Sequence, residues 1–214
     1  MLEGLIVALD MRDVEPGLTQ LSQAQATIDA IAEVDRDDAW RRLKAEIEQA
    51  QMEVMSVSEM TAELSVAAIR HRAMADSWLS LSPDDPGARF ARAAADYYEG
   101  VARTYTDDDA RAYPLLRAAY QAFSDAEAET PNDPDLLFME GWSAAEGYAA
   151  AARMGLEMEA EAMLADGVNA AQLLAAVADS DRSARVLNFS ISEAYAQHLS
   201  NTGRHAAAIA EQAR

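Results

Sequence analysis

The segment Thr130-Pro131-Asn132-Asp133-Pro134 ends one helix and begins the next. Asp133 is a favourable N-cap residue because its carboxylate accepts hydrogen bonds from unpaired amides of the first helical turn, and proline suits the first helical position. Related segments recur every 48 residues, each with an aspartate at the same place. These aspartates are Asp37, Asp85, Asp133 and Asp181. The spacing predicts an internal repeat of 48 residues.

A second break is predicted inside each repeat. Gly155 and Gly203 are also 48 residues apart, and the equivalent earlier positions are Asp107 and Glu59. Glu59 follows Ser56 at the Ser-x-x-Glu spacing of a capping box, in which each side chain satisfies an amide at a helix start. Each repeat is therefore predicted to be an antiparallel helical hairpin, with arms of about 20 residues and a length of roughly 30 Å.

The repeat predicts one elongated domain over residues 1–214, because each unit of such an array packs on its neighbours. The predicted units are a partial unit at 1–34 and further units at 35–82, 83–130, 131–178 and 179–214. The predicted helices are 18–34, 38–56, 59–80, 86–105, 110–129, 134–153, 156–178, 182–201 and 204–214.

Several ends of these helices carry further expectations. Residues 2–11 are expected to end an earlier helix, and Pro16 is expected in a turn. Pro114 indicates that its helix begins only near Tyr113, because proline is tolerated in a first turn. The last arm has only 11 residues, so either the final helix is short or the chain is part of a longer array.

Composition narrows the class of protein. The chain of 214 residues is rich in Ala, Glu and Leu, with nine Gly, six Pro and no Cys, which favours an all-α fold without disulfides or thiolate metal sites. A formal net charge of -20, spread along the chain, disfavours nucleic acid and anionic membranes as partners. The apolar run Leu5–Leu9 lacks a basic segment before it, and no stretch is long enough to cross a membrane. We expect a cytoplasmic protein with no direct membrane insertion.

The central junction resembles the tetratricopeptide repeat family. The resemblance is carried by the spacing A-x3-F-x2-A-x4-P and by part of the W-x2-L-G motif that follows it. The matching residues are Ala119, Phe123, Ala126, Pro131, Leu137, Glu140 and Gly141. The family period is about 34 residues, so the longer arms here are a departure from it. The resemblance implies a right-handed α-solenoid of antiparallel hairpins, whose first helices line a concave face that binds peptides or helices of other proteins.

Four aromatic residues lie on first helices, where that resemblance places the concave face. Phe90 and Tyr97 belong to one unit, and Phe138 and Trp142 belong to the next. We predict that they anchor a protein or peptide, because buried aromatics dominate the energetics of interfaces. Glu146 and Glu193 are predicted to favour a basic partner. The alternative, that these aromatics only pack between neighbouring units, is open.

The sequence does not indicate an enzyme. It has no glycine-rich phosphate loop, no G-x-S-x-G motif and no cysteine nucleophile. His71, His198 and His205 each lack a glutamate three residues earlier, so a carboxylate-bridged metal site is not predicted, and we expect neither metal nor cofactor. The predicted function is a protein-interaction scaffold without catalysis. The alternative is a regulatory or dimerisation segment of a larger multidomain signalling protein, with a homodimer as one form.

Overall fold

The structure is a computed structural model that describes residues 14–32, 36–178 and 181–212. In these residues the regular structure is entirely helical, which confirms the all-α prediction. The helices are α1 Val14–Asp29, α2 Asp38–Val57, α3 Thr61–Leu81, α4 Pro86–Thr104, α5 Asp109–Glu129, α6 Pro134–Arg153, α7 Glu157–Val177, α8 Arg182–Asn201 and α9 His205–Gln212.

The chain divides into two compact units, Met1–Asp108 and Asp109–Arg214. In the first unit, α1 packs on α2, α2 on α3 and α3 on α4, and α2 also contacts α4. In the second unit, each of the helices α5 to α9 packs on the next, and α6 also contacts α8. Within each unit, therefore, each helix packs on the next one in sequence. The first helices of successive hairpins also contact each other, α2 with α4 and α6 with α8. The division falls inside the predicted unit 83–130.

The predicted aspartate caps are confirmed. Asp37 accepts a hydrogen bond from the amide of Trp40 at 2.9 Å. Asp85, Asp133 and Asp181 each accept bonds from the two amides that lie two and three residues further on. Because each aspartate satisfies orphan amides of its own helix, these four helix starts are determined locally.

The turn inside each repeat is also confirmed, but the capping box predicted for the turn at Ser56 and Glu59 is wrong. The four residues at the 48-residue spacing have positive φ, and the amide after each donates to the carbonyl five residues earlier at 2.8 to 3.0 Å. This pattern is the Schellman motif that ends a helix. The residues are Glu59, Asp107, Gly155 and Gly203. Glu59 therefore terminates α2 and does not form a capping box with Ser56, while α3 begins after Met60 without a side-chain cap.

The predictions made for Pro16 and Pro114 are wrong. Pro16 lies in the first turn of α1, which runs from Val14 to Asp29 and not over 18–34. Pro114 lies within α5, which begins at Asp109. Ala112 and Leu116 on either side of it are fully buried, so core packing offsets the one hydrogen bond that proline removes. The helix end predicted over residues 2–11 lies outside the described residues.

Helix α1 does not follow the repeat. Its residues Leu21 and Ile28 are buried, whereas the positions 48 residues further on, Ile69 and Asp76, are exposed on α3. The two helices therefore bury different faces. None of the described helices combines the length and apolar character that a membrane crossing requires.

Candidate protein-binding surface

Phe138, Trp142 and Glu146 follow one another at intervals of four along α6, and we call them the α6 stripe. All three side chains are half-buried. The two aromatic rings meet edge to face with their centroids 6.4 Å apart, a favourable arrangement for an aromatic pair. Both rings pack against the hydrophobic core of the second unit. The stripe is therefore an aromatic surface whose base is held by the core.

Small residues allow close packing at other positions of α6. A Cβ atom at Gly141 would lie 2.8 Å from Leu187 Cδ2 of α8, and one at Gly167 of α7 would lie 3.0 Å from Ala144 Cβ of α6. Contacts this close leave little freedom for α6 to rotate. The close packing of α6 thus fixes the direction in which the α6 stripe faces.

The carboxyl group of Glu146 is electrostatically distinctive. Burial raises the pKa of Glu146, and the charge of Arg153 only partly opposes this effect. Because burial disfavours the ionised carboxylate, a cation brought beside Glu146 would be favoured. Glu193, the other predicted acidic contact, is exposed on α8.

Phe90 and Tyr97 lie on α4, in the first unit. Phe90 is half-buried. Tyr97 is only 8% exposed, and its ring meets that of Tyr98 edge to face at 4.9 Å. The α4 residues 93–102 are buried without a break, so Tyr97 belongs to the core and offers a partner almost no surface. Of the four aromatic residues predicted to anchor a partner, only Phe138 and Trp142 have rings in contact with each other among the contacts described.

The sequence interpretation missed two exposed apolar residues on α8. Val186 is 48% exposed and Phe189 is 70% exposed. The repeat itself carried a signal, because the positions equivalent to Phe189 in the preceding units hold only small residues. These are Ala45, Ala93 and Gly141. A phenylalanine at a position of small residues could have marked α8 as exceptional.

A second candidate site is a buried charged cluster in the first unit. Glu48 of α2 and His71 of α3 are almost fully buried, and His71 Nδ1 lies 2.8 Å from Glu48 Oε2. Burial alone would raise the pKa of Glu48, but the hydrogen bond with His71 and the charges of His71 and Lys44 lower it. Lys44 Nζ lies 3.1 Å from Glu48 Oε1. His71 is thus a fully buried histidine of the first unit.

The same unit buries further carboxylates beside arginines. Arg72 of α3 contacts Asp96 of α4 and lies 2.8 Å from Glu99 of that helix. Glu99 is also held by Arg103 at 2.8 Å. Burial raises the pKa of Asp96, although the charges of Arg92 and Arg72 oppose it. These carboxylates face guanidinium groups, and the contacts of Arg72 join α3 to α4.

Across residues 14–32, 36–178 and 181–212, no group of three or more acidic or histidine side chains is arranged to hold a metal ion. Among the aromatic residues predicted to bind a partner, Phe138 and Trp142 are the two whose rings the structure brings into contact at a partly exposed surface. Comparison of the chain with protein-family models, curated proteins and solved structures finds no match.

Proposed function

We propose that the protein is an interaction module that binds a segment of another protein on the α6 stripe. The observation that carries this proposal is the edge-to-face pair of Phe138 and Trp142, half-buried and packed on the core. Aromatic side chains that are already fixed lose little conformational entropy on binding, so they are efficient anchors. The bound segment is a peptide or helix that presents an apolar side chain to the two rings.

Charge supports a basic segment. Glu146 ends the α6 stripe, and partial burial of its carboxyl group raises its pKa more than the charge of Arg153 lowers it. A lysine or arginine of the bound segment would supply a further cation. The net charge of -20 also attracts basic partners at long range and raises their association rates. Exposed Glu193 adds to the same preference.

The finer architecture belongs to this proposal. We propose a right-handed α-solenoid of tetratricopeptide type, with the α6 stripe on its concave face. The recurrence of aspartate caps and Schellman turns every 48 residues supports an array of equivalent hairpins. The proposal includes no catalysis and a cytoplasmic location, with which the absence of cysteine is compatible.

The test is a selection of binders from a library of 16-residue peptides on the immobilised chain. Peptides that combine basic residues with an aromatic or aliphatic residue are expected to be enriched. Their affinity should fall about tenfold or more for Trp142→Ala, the loss typical of an interface anchor. Fluorescence anisotropy of labelled peptides measures this affinity.

The matched control is Met158→Ala, which truncates an 82% exposed side chain of α7 in the same unit. It should leave peptide affinity unchanged. Glu146→Lys tests the charge preference and should shift the selected peptides toward acidic residues. Circular dichroism verifies that each variant is folded. Equal peptide affinity of wild type, Trp142→Ala and Met158→Ala would refute binding on the α6 stripe.

A further inference from the structure

Helix α8 carries an exposed stripe that the α6 stripe does not explain. Val186 and Phe189 are 48% and 70% exposed. Arg182 and Arg185 lie on the same side toward the start of the helix, and Glu193 lies on it toward the end; all three are exposed. We call these five residues the α8 stripe. Its centre is apolar, and charges of opposite sign flank it.

The repeat shows what the equivalent positions do elsewhere. Ala45, on the first arm of its hairpin, is buried in a cluster with Ala91 of the next first arm. Gly141 approaches Leu187 of the next first arm so closely that a Cβ atom would lie 2.8 Å from Leu187 Cδ2. These positions are therefore where successive first arms stack within each unit, and they require small side chains.

Phe189 is incompatible with that kind of stacking. A phenyl ring cannot fit where a single methyl group already meets its neighbour, so a further first arm could not approach α8 as closely as α8 approaches α6. A helix that packs on Phe189 must lie further away, near the upper end of the usual 8 to 10 Å between helix axes. The occupant of this face is therefore not another repeat stacked in the same way.

The charges of the α8 stripe are self-complementary. Arg185 and Glu193 lie four residues on either side of Phe189, which is about 6 Å along the axis in each direction. If two α8 helices packed antiparallel across Phe189, Arg185 of each would stand opposite Glu193 of the other. A parallel pair would instead bring like charges together, which is unfavourable.

We propose that α8 pairs in antiparallel fashion with α8 of a second copy of this chain, across a two-fold axis at Phe189. Such an isologous contact uses the same patch on both copies. It buries two phenylalanine rings and two valine side chains and forms two symmetric pairs of Arg185 with Glu193. One helix face is smaller than a standard stable interface, and two chains of charge -20 repel each other at long range. Association is therefore expected in the micromolar range and should strengthen at moderate salt.

Sedimentation velocity on the full chain, from about 1 to about 500 μM, tests the contact. The wild type should shift from monomer to dimer across this range. Phe189→Asp should stay monomeric, and because Phe189 is 70% exposed, its thermal unfolding should match that of the wild type. The control Met158→Asp, at an 82% exposed apolar position, should dimerise like the wild type.

A charge reversal tests the antiparallel geometry. Arg185→Glu and Glu193→Arg should each weaken the dimer about tenfold or more. The double variant with both substitutions should recover the wild-type dissociation constant, because each pair is restored with its signs exchanged. A wild type that stays monomeric throughout, or a dimer that Phe189→Asp leaves intact, would overturn the proposal. A double variant no better than the single ones would overturn the antiparallel pairing.

The α8 contact and the proposed peptide binding share only Glu193, so variants that leave Glu193 unchanged can separate them. Phe189→Asp should bind the selected basic peptides with wild-type affinity, since the α6 stripe is unchanged in it. Trp142→Ala should conversely retain the dimer. Each surface can therefore fail in its own assay without affecting the result of the other.

Discussion

In both units the two arms of a hairpin meet at the same repeat positions, but the contact is polar in the first unit and made by small residues in the second. In the first unit, the arms of a hairpin meet at Glu48 and His71, whose Oε2 and Nδ1 atoms are 2.8 Å apart. In the second unit, the same two repeat positions hold Ala144 and Gly167, where a Cβ atom on the glycine would lie 3.0 Å from that of the alanine. The 48-residue repeat therefore determines where the arms meet, and the residue types at those positions determine whether the contact is a hydrogen bond or close packing of small residues.

The difference has energetic consequences. The buried pair in the first unit has a large desolvation cost, which its mutual hydrogen bond and the neighbouring cations Lys44 and Arg70 offset. Removal of His71 leaves the carboxylate of Glu48 buried without its hydrogen-bond partner. The small-residue contact of the second unit has no charge to lose, but it has no room for a larger side chain. The stability of the first unit should thus fall when Glu48 or His71 is removed, and that of the second unit should fall when a larger side chain replaces Gly167.

The largest effect is expected when the buried pair of Glu48 and His71 is broken. His71→Ala should lower the free energy of unfolding by about 3 to 5 kcal/mol, because it leaves the carboxylate of Glu48 buried without its closest partner. Urea unfolding followed by circular dichroism measures the loss. The double variant Glu48→Met, His71→Leu should be much less destabilised, since it buries no charge. A loss below about 1 kcal/mol for His71→Ala, the range of exposed ion pairs, would contradict this account.

A smaller loss is expected when the close contact of the second unit is overfilled. Gly167→Val should cost about 1 to 3 kcal/mol, because the nearest atom is the Cβ of Ala144, which cannot move without the backbone. Gly147→Ala is the matched control on the same hairpin. There the nearest atoms are the terminal Cε and Sδ of Met163, which can rotate away, and alanine favours the helix. If the two variants unfolded at the same urea concentration, the tight contact would not be the cause.

The turns inside the repeats should give changes of about 1 kcal/mol, with opposite signs in the two units. Glu59 adopts a φ of 55° that suits glycine, so Glu59→Gly should stabilise the protein by up to about 1 kcal/mol. Gly155→Ala should destabilise it by a similar amount through the backbone alone, because no atom lies within 4 Å of the added Cβ. Thermal unfolding compares them. A gain of stability for Gly155→Ala would show that the turn is not constrained as described.

The smallest effect concerns carboxylates with opposite pKa shifts in the two units. The pKa of Glu48 is lowered from 4.5, so its ionised form stabilises the fold above pH 4.5, and this stabilisation is lost as pH falls through the lowered pKa. The pKa of Glu146 is raised from 4.5 by burial. Its ionised form therefore weakens the fold at pH 7, and this weakening disappears as pH falls through the raised pKa toward 4.5.

Glu146→Gln should consequently raise the free energy of unfolding at pH 7 by a fraction of a kcal/mol and have no effect near pH 4.5. Urea unfolding at both pH values provides the comparison. A variant that is less stable than the wild type at pH 7 would mean that Glu146 is stabilised by a cation in the folded chain.

Much of the helix pattern could be predicted because the signals act locally. An aspartate such as Asp133 caps its own helix through amides two and three residues away, so its role does not depend on tertiary contacts. Gly155 and Gly203 likewise mark turns through their own backbone freedom. Local signals failed where the core overrode them, as at Pro114, which lies within α5 between the fully buried residues Ala112 and Leu116. The capping box at Ser56 and Glu59 failed because the chain turns at Glu59 with a positive φ, which ends α2 there.

The sequence by itself thus determined the all-helical class, the 48-residue period and most helix ends, since hydrogen bonds within a few residues decide these features. Only the tertiary structure decided which face of each helix is buried. The pairing of Glu48 with His71 joins residues 23 positions apart, and the exposure of Phe189 depends on which helices reach it. Burial depends on how all the helices pack together. The rotation of each helix about its axis relative to its neighbours is not encoded in any local sequence pattern.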